Sequence, residues 1–392
     1  MKLFKHLPAI LAVVITLTTA CKKDFQSSTQ RSDKIVERKA ISPEVKARLE
    51  KLRLLISTEK RSPLAALPRF AKYQSTPYQD MARMAYGAVE PTPCDDYTPL
   101  TQWLYGELAD WDDDAFFYAS YLDLFNVPAN YAYIFENSSA NQFFGKNGEY
   151  TQRLVKTFKD LKRFWNIETS GIQLVAMHGK MLQNKDKIKQ TYIAAYGLSP
   201  DDADFYADFA IAAVEYFSQY RNGEHPIFTF NAFASTGFDY PPFGTVADKI
   251  TMGDGILEGY TAIGFNDVAP QAILAHEFGH HIQFQLGLFT GTGPEATRRT
   301  ELMADAFSAY YLSHAKGASM QWKRVKQFLE VFFNIGDCAF TDNSHHGTPT
   351  QRMASAEWAY NLANDAQKQG HILTGQEFAA LFEAQLPIIV SH

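Results

Sequence analysis

Apolar residues first recur at helical spacing at Val45, Leu49, Leu52 and Ile56, which gives a helix one apolar face. Ser42, Pro43 and Glu44 open that helix with a capping hydroxyl, a proline in the first turn and an acid at the positive end. Pro63, Pro68, Pro91 and Pro93 break up the next stretch. From Tyr97 to Phe135 aromatic residues crowd together, among them Trp103, Trp111, Phe116, Phe117, Tyr118, Tyr121 and Phe125. Rings in that density suit a helical core better than a surface for stacking glycans or peptides. Asp110, Asp112, Asp113 and Asp114 lack the alternating spacing and turn glycine of a calcium loop, and read as a solvated helix start.

The pattern changes near residue 170. Ile172–Met177 alternates around a short apolar run and predicts a strand, with His178 at its end as a satisfied core or cleft-lining histidine. Helical spacing follows over about 186–196 and 200–221, the second stretch carrying Phe205, Phe209, Ala212, Ala213, Phe217 and Tyr220. Ile227–Phe230 and Lys249–Met252 predict two more strands, and Gly253-Asp254-Gly255 turns the chain out of the latter. A helix is predicted from near Pro270 to Leu286, packed through Leu274, Phe278 and Ile282, and Pro294 opens another. These elements predict an α+β fold, mostly helical, with a small sheet. An aromatic-rich helical region spans 41–165, and region 166–392 carries the sheet and the later helices.

The ends and the charge narrow the setting. Lys2 and Lys5 precede an uncharged, largely apolar run from Leu7 to Ala20. Its 14 residues are too few for a helix crossing a ~30 Å hydrocarbon core, so residues 1–20 read as an export signal. Leu17-Thr18-Thr19-Ala20-Cys21 resembles a bacterial lipoprotein signal, which implies a lipid on Cys21, a flexible tether over 21–40 and a membrane-anchored envelope protein. Because Lys22 rather than Asp follows the cysteine, the same resemblance implies the outer membrane. Losing Lys2 and Lys5 with the signal lowers the net charge from −6 to −8, and without a basic block the chain offers nothing to a nucleic acid. Cys94 and Cys338 then remain as an even pair in an oxidising compartment, and a disulfide between them is predicted. Neither lies in a Cys-x-x-Cys pair that would suggest zinc.

The chemistry concentrates in His276-Glu277-Phe278-Gly279-His280. Imidazoles four apart on a helix project from one face and can grip one Zn2+ ion, and the glutamate between them can take a proton from water in the same cavity. Twenty-one residues past His280, Glu301 can supply a third ligand and leave the fourth position open. Asp305, one turn further, can accept a hydrogen bond from His276 and fix its tautomer. His281 points away and reads as packing or support. Glu277-Phe278-Gly279-His280 is also a Glu-x-x-His element of the di-iron kind, but the chain has no second such element.

Three segments, His276–Gln283, Glu301–Asp305 and His346-Gly347-Thr348-Pro349-Thr350-Gln351-Arg352, resemble the gluzincins. More narrowly, they resemble the neutral zinc metallopeptidases of bacterial envelopes. The likeness covers roughly 250–360 and departs at Ala306, where that family usually carries a cysteine. It implies a zincin-like catalytic core within 166–392, with strands preceding a metal-binding helix and then a glutamate-bearing helix. It also implies peptide-bond hydrolysis with Glu277 as general base, and a peptide or protein as substrate. His346, which begins the third segment, is the preferred donor to the oxyanion of the tetrahedral intermediate. His345, Tyr310, Tyr311 and Arg352 are weaker candidates, and Arg352 could instead pair with a core acid. The extended substrate is expected along a strand edge near Lys249–Met252. The competing reading is a non-catalytic envelope binding lipoprotein with a structural zinc site.

Overall fold

The computed structural model describes residues 42–59, 64, 98–138, 141–320, 322–334 and 346–392. The signal, the tether, the lipidation at Cys21, the Cys94–Cys338 disulfide and His345 lie outside these residues. Helices dominate: α1 (Pro43–Glu59), α2 (Pro99–Glu107), α3 (Asp113–Tyr121), α4 (Val127–Ile134) and α5 (Thr151–Phe164) come before the first strand, β1 (Gln173–Met177). Helices α6 (Lys185–Tyr196) and α7 (Pro200–Tyr216) follow, then strands β2 (Ala232–Ser235), β3 (Phe238–Tyr240), β4 (Gly244–Val246) and β5 (Lys249–Gly253). The chain then runs through α8 (Asp254–Ala262), α9 (Ala269–Leu286), α10 (Pro294–Ser313), α11 (Trp322–Asn334), α12 (Pro349–Gln369) and α13 (Gly375–Ile389). With one small mixed sheet and a two-stranded β3–β4 hairpin among these helices, the fold is α+β and mostly helical, as the periodicity predicts. None of the described helices is long and apolar enough to cross a membrane.

Local chemistry explains where the helices start. Asp112 caps α3 by accepting from the Ala115 amide at 2.8 Å, so the aspartate run is a helix start as expected. Asn184 and Ser199 cap α6 and α7 in the same way, and Gly197 takes the left-handed conformation that ends α6. Thr348 accepts from the Gln351 amide at 3.1 Å while the Gln351 side chain accepts from the Thr348 amide at 3.2 Å. That reciprocal pair, with Pro349 in the first turn, accounts for most of the Thr-Pro-Thr-Gln segment.

The three-stranded sheet has the order β1-β5-β2, with β1 parallel and β2 antiparallel to β5. Leu174, Ile250 and Ala234 lie side by side across it. All of β5 is buried, as a central strand packed on both faces should be. Because both its edges are paired, Lys249–Met252 cannot receive an extended peptide, and the expectation placed there fails. The unpaired edges in this sheet belong to β1 and β2. The expected strand at Ile227–Phe230 is also corrected: Pro226–Thr229 forms a 3-10 turn instead. Pro226 has no amide proton to give a ladder, and His225 Nδ1 accepts from the Ile227 amide at 3.2 Å, curling the chain. The helix expected to reach residue 221 stops at Tyr216, and Arg221 and Asn222 sit at φ 51° and 54°.

Two hydrophobic clusters flank the sheet. One joins α9, α10, α12 and α13 to Leu154, Leu161, Phe164 and Trp165 of the α5 segment. The other packs Val45, Leu49, Trp111, Tyr118 and Tyr133 against α6, α7 and Phe228. The aromatic-rich stretch is therefore mostly core, with Trp111 in contact with Phe116, Tyr220, His225 and Phe228. The division of the sequence near residue 165 does not coincide with the division of the core, because α5 packs with the later helices.

His225 provides a test of this second cluster. It is fully buried, Nε2 donates to the Glu107 carbonyl at 3.0 Å and Nδ1 accepts from Ile227, so both nitrogens are satisfied only in the neutral ring. Burial, and secondarily Arg221, lowers its pKa from 6.5 to about 4. A depressed folded pKa means that the unfolded chain binds the extra proton first. The stability it confers is therefore complete above pH 6.5 and is lost as pH falls through about 4. His225→Gln should cost about 1–3 kcal/mol at pH 7 and flatten the fall of unfolding free energy between pH 6.5 and 4, read by urea denaturation at each pH. An unchanged pH slope would assign the acid sensitivity elsewhere.

Candidate metal centre

Helix α9 is buried along nearly its whole length, and α10 packs across it. The approach is close because Gly279 has no side chain. A Cβ there would lie 3.2 Å from the Ala304 Cα and 3.2 Å from the Phe307 Cβ. Ser308 Oγ ties α10 to the Ala272 carbonyl of α9 at 2.8 Å. This packing places Glu301, one helical turn before Asp305, opposite the paired histidines.

The donor atoms converge. His276 Nε2 and His280 Nε2 are 3.1 Å apart, His276 Nε2 is 3.3 Å from Glu301 Oε2, and His280 Nε2 is 3.3 Å from Glu301 Oε1. Tetrahedral zinc with bonds of 2.0–2.1 Å sets its ligands about 3.3 Å apart, so the donors sit at the edge lengths of a coordination tetrahedron. Both rings are oriented from behind. His276 Nδ1 donates to Asp305 Oδ1 at 2.8 Å, and His280 Nδ1 donates to Gln283 Oε1 at 2.8 Å. The Gln283 amide nitrogen is committed to the Thr300 carbonyl at 2.7 Å, which fixes which end of the amide faces His280. With both Nδ1 atoms protonated, the two Nε2 lone pairs and the Glu301 carboxylate face one another. Three acceptors at that range need a cation between them. Among the described residues this is the group of three or more such side chains able to hold a metal ion, and all three are buried.

The electrostatics express the same demand. Burial disfavours a charged His276, yet hydrogen bonds to Asp305 and Glu301 and their charges outweigh it and push the imidazole up to about 10. Burial would raise Glu301, but His280 and His346 nearby hold it well below the usual carboxylate range. Glu277 is pushed upward mainly by burial, with His276 and His280 opposing.

Asp305 accepts from His276 as the sequence spacing suggests. What that spacing misses is the partner behind it: Arg352 of α12 grips Asp305 through Nε at 2.7 Å and Nη2 at 2.6 Å, with both residues buried. Arg352 is thus the partner of a core acid. His346 stands at the entry to α12, half-buried and close enough to act on the Glu301 charge. Tyr310 and Tyr311 pack in the aromatic core around Phe164 and Trp165. His281 Nε2 donates to the Lys249 carbonyl at 3.0 Å and pins α9 to the sheet. Gln283 carries no sequence signal of its role beyond lying within reach of His280 at the i+3 position, whereas the sequence offers Arg352 as a partner for a core acid without naming Asp305.

Asp305→Asn and Gln283→Leu should each weaken Zn2+ uptake by about 10–100-fold in competition with a chromogenic chelator, with helix content unchanged. Arg352→Ala should cost about 3–5 kcal/mol of stability because it strands a buried carboxylate. Full Zn2+ affinity in both of the first two variants would remove their assigned role. No family model matches the chain, and neither a curated protein nor a solved structure does, so the reading of this centre rests on its own geometry.

Proposed function

We propose that the protein is a zinc-dependent hydrolase of peptide bonds, carried by an N-terminal lipid in the cell envelope. The observation that carries the reading is the convergence of His276, His280 and Glu301, with Glu277 buried on the same helix beside the two histidines. His276, His280 and Glu301 would hold the metal, and zinc is favoured by two imidazoles and a carboxylate at tetrahedral spacing. When bound, zinc supplies Lewis acidity toward a carbonyl oxygen and a water molecule.

The rest is the work of the chain. Glu277 takes the proton of the attacking water and hands it to the departing amine. His346, at the Glu301 side of the centre, is the donor assigned to the developing oxyanion. An extended substrate lies along the outer edge of β2, the unpaired side of the sheet nearest Glu277, by main-chain pairing.

The near-complete burial of all three ligands favours a second reading, a structural metal in a binding lipoprotein. One experiment separates the two. Glu277→Gln should retain stoichiometric zinc and the fold while cleavage of a diverse peptide pool falls by about 10²–10⁴-fold. Cleavage by the unaltered protein should vanish with chelator and return with Zn2+. Cleavage that persists in Glu277→Gln would reject its role, and no cleavage by the zinc-loaded protein would favour the structural reading.

A further inference from the structure

A second constellation lies on the opposite edge of the sheet. The parallel strands β1 and β5 end together, Met177 opposite Gly253, and the next residues are His178 and Asp254. Crevices at the carboxyl ends of parallel strands are recurrent ligand sites, because the chain leaves each strand there in a different direction. Here the crevice is a cavity of about 430 Å3, within the range of about 300–1,000 Å3 of small-molecule sites. None of His276, Glu277, His280 and Glu301 lines it.

Its wall is a built one. His178 Nδ1 donates to Asp254 Oδ2 at 2.8 Å, which leaves Nε2 as an acceptor. Asp254 is 6% exposed, and its second oxygen, Oδ1, is buried with no hydrogen-bond partner. Phe143 stacks on the His178 ring at 4.2 Å and an interplanar angle of 22°, yet remains 45% exposed. With His178 against one face, Phe143 can offer aromatic surface to the cavity it lines.

The lining charges indicate the class of ligand. Lys146, Lys180 and Lys187 face Glu136, Glu224 and Asp254, so the lining ammonium and carboxylate groups are equal in number. Lys146 is paired with Glu258 at 2.7 Å and Lys187 with Glu136 at 3.6 Å, which further quenches any field. Such a site does not select an anion or a cation. It offers acceptors at His178 Nε2 and Glu224, a donor at Lys180, and an aromatic face. Hydroxyl groups satisfy donors and acceptors alike. The weakly positive C–H face of a pyranose ring meets the negative face of an aromatic. We infer that this cavity, lined by Phe143, His178, Glu224 and Asp254, binds a single neutral sugar ring, at a site separate from the metal centre.

The inference stands apart from the hydrolase reading, since neither its ligand nor its residues involve the metal. It is tested on the zinc-loaded protein with the methyl glycosides of glucose, galactose, mannose and N-acetylglucosamine, using saturation-transfer NMR and calorimetric titration. Acetate and ethylammonium serve as charged probes. At least one glycoside should bind, about tenfold more weakly in Phe143→Ala and unchanged in Phe117→Ala, an equally exposed aromatic elsewhere. Glu224→Gln should also weaken binding, and both cavity variants should retain full zinc content. Three results would overturn the proposal: no glycoside binding at millimolar concentration, binding indifferent to Phe143→Ala, or selective uptake of acetate or ethylammonium instead.

Discussion

Two imidazole lone pairs and a carboxylate held within 3.3 Å of one another repel unless positive charge lies among them. Much of the molecule is arranged to keep them there. Gly279 lets α10 approach α9, the Ser308–Ala272 hydrogen bond ties the two helices, and Asp305 and Gln283 turn the rings so that both Nε2 atoms face inward. Arg352 lies 2.6 Å from Asp305 and 3.8 Å from Glu301, so one guanidinium serves two buried carboxylates, with Glu277 a third acid nearby. A divalent cation balances that account better than a single proton does. The same buried surroundings make the cluster costly without a cation.

Legibility in the sequence followed the range of each interaction. The histidines of α9 are one turn apart, and so are Glu301 and Asp305, so helical geometry alone predicts their shared faces. Caps at Asp112, Asn184 and Thr348 are equally local, although only the aspartate run reads as a helix start in the sequence. Pairing order is not local. That β5 would be enclosed between β1 and β2 depended on Ala232–Ser235, a four-residue strand too short and too rich in alanine to stand out. Ile227–Phe230 looked like a strand by composition, but Pro226 and the His225 ring decided the backbone there. Arg352 was visible as a buried-pair candidate, yet its partner lies 47 residues away and no periodicity connects them.

The small sheet separates two kinds of chemistry. Its β2 edge packs against α9, the helix that carries Glu277, while its β1 edge opens on the cavity containing His178 and Asp254. Both places use strand ends or edges, where the backbone is not fully consumed by the ladder. The helices on either side bring the side chains, and the two hydrophobic clusters hold each set without sharing residues.

Lys249 joins these halves. Its ammonium group is buried and donates to the carbonyls of Ala132 and Tyr133 at 3.3 and 2.7 Å and to that of Glu136, all at the end of α4, while its own carbonyl receives His281 from α9. A single residue thus fastens the histidine-bearing helix, through the middle strand, to the aromatic part of the chain. Cutting that part away would strand a cation in the interior and loosen the strand from which α9 hangs. The aromatic half is therefore not a detachable appendage: a truncated fragment beginning at β1 would inherit the ligands but not the foundation on which they stand.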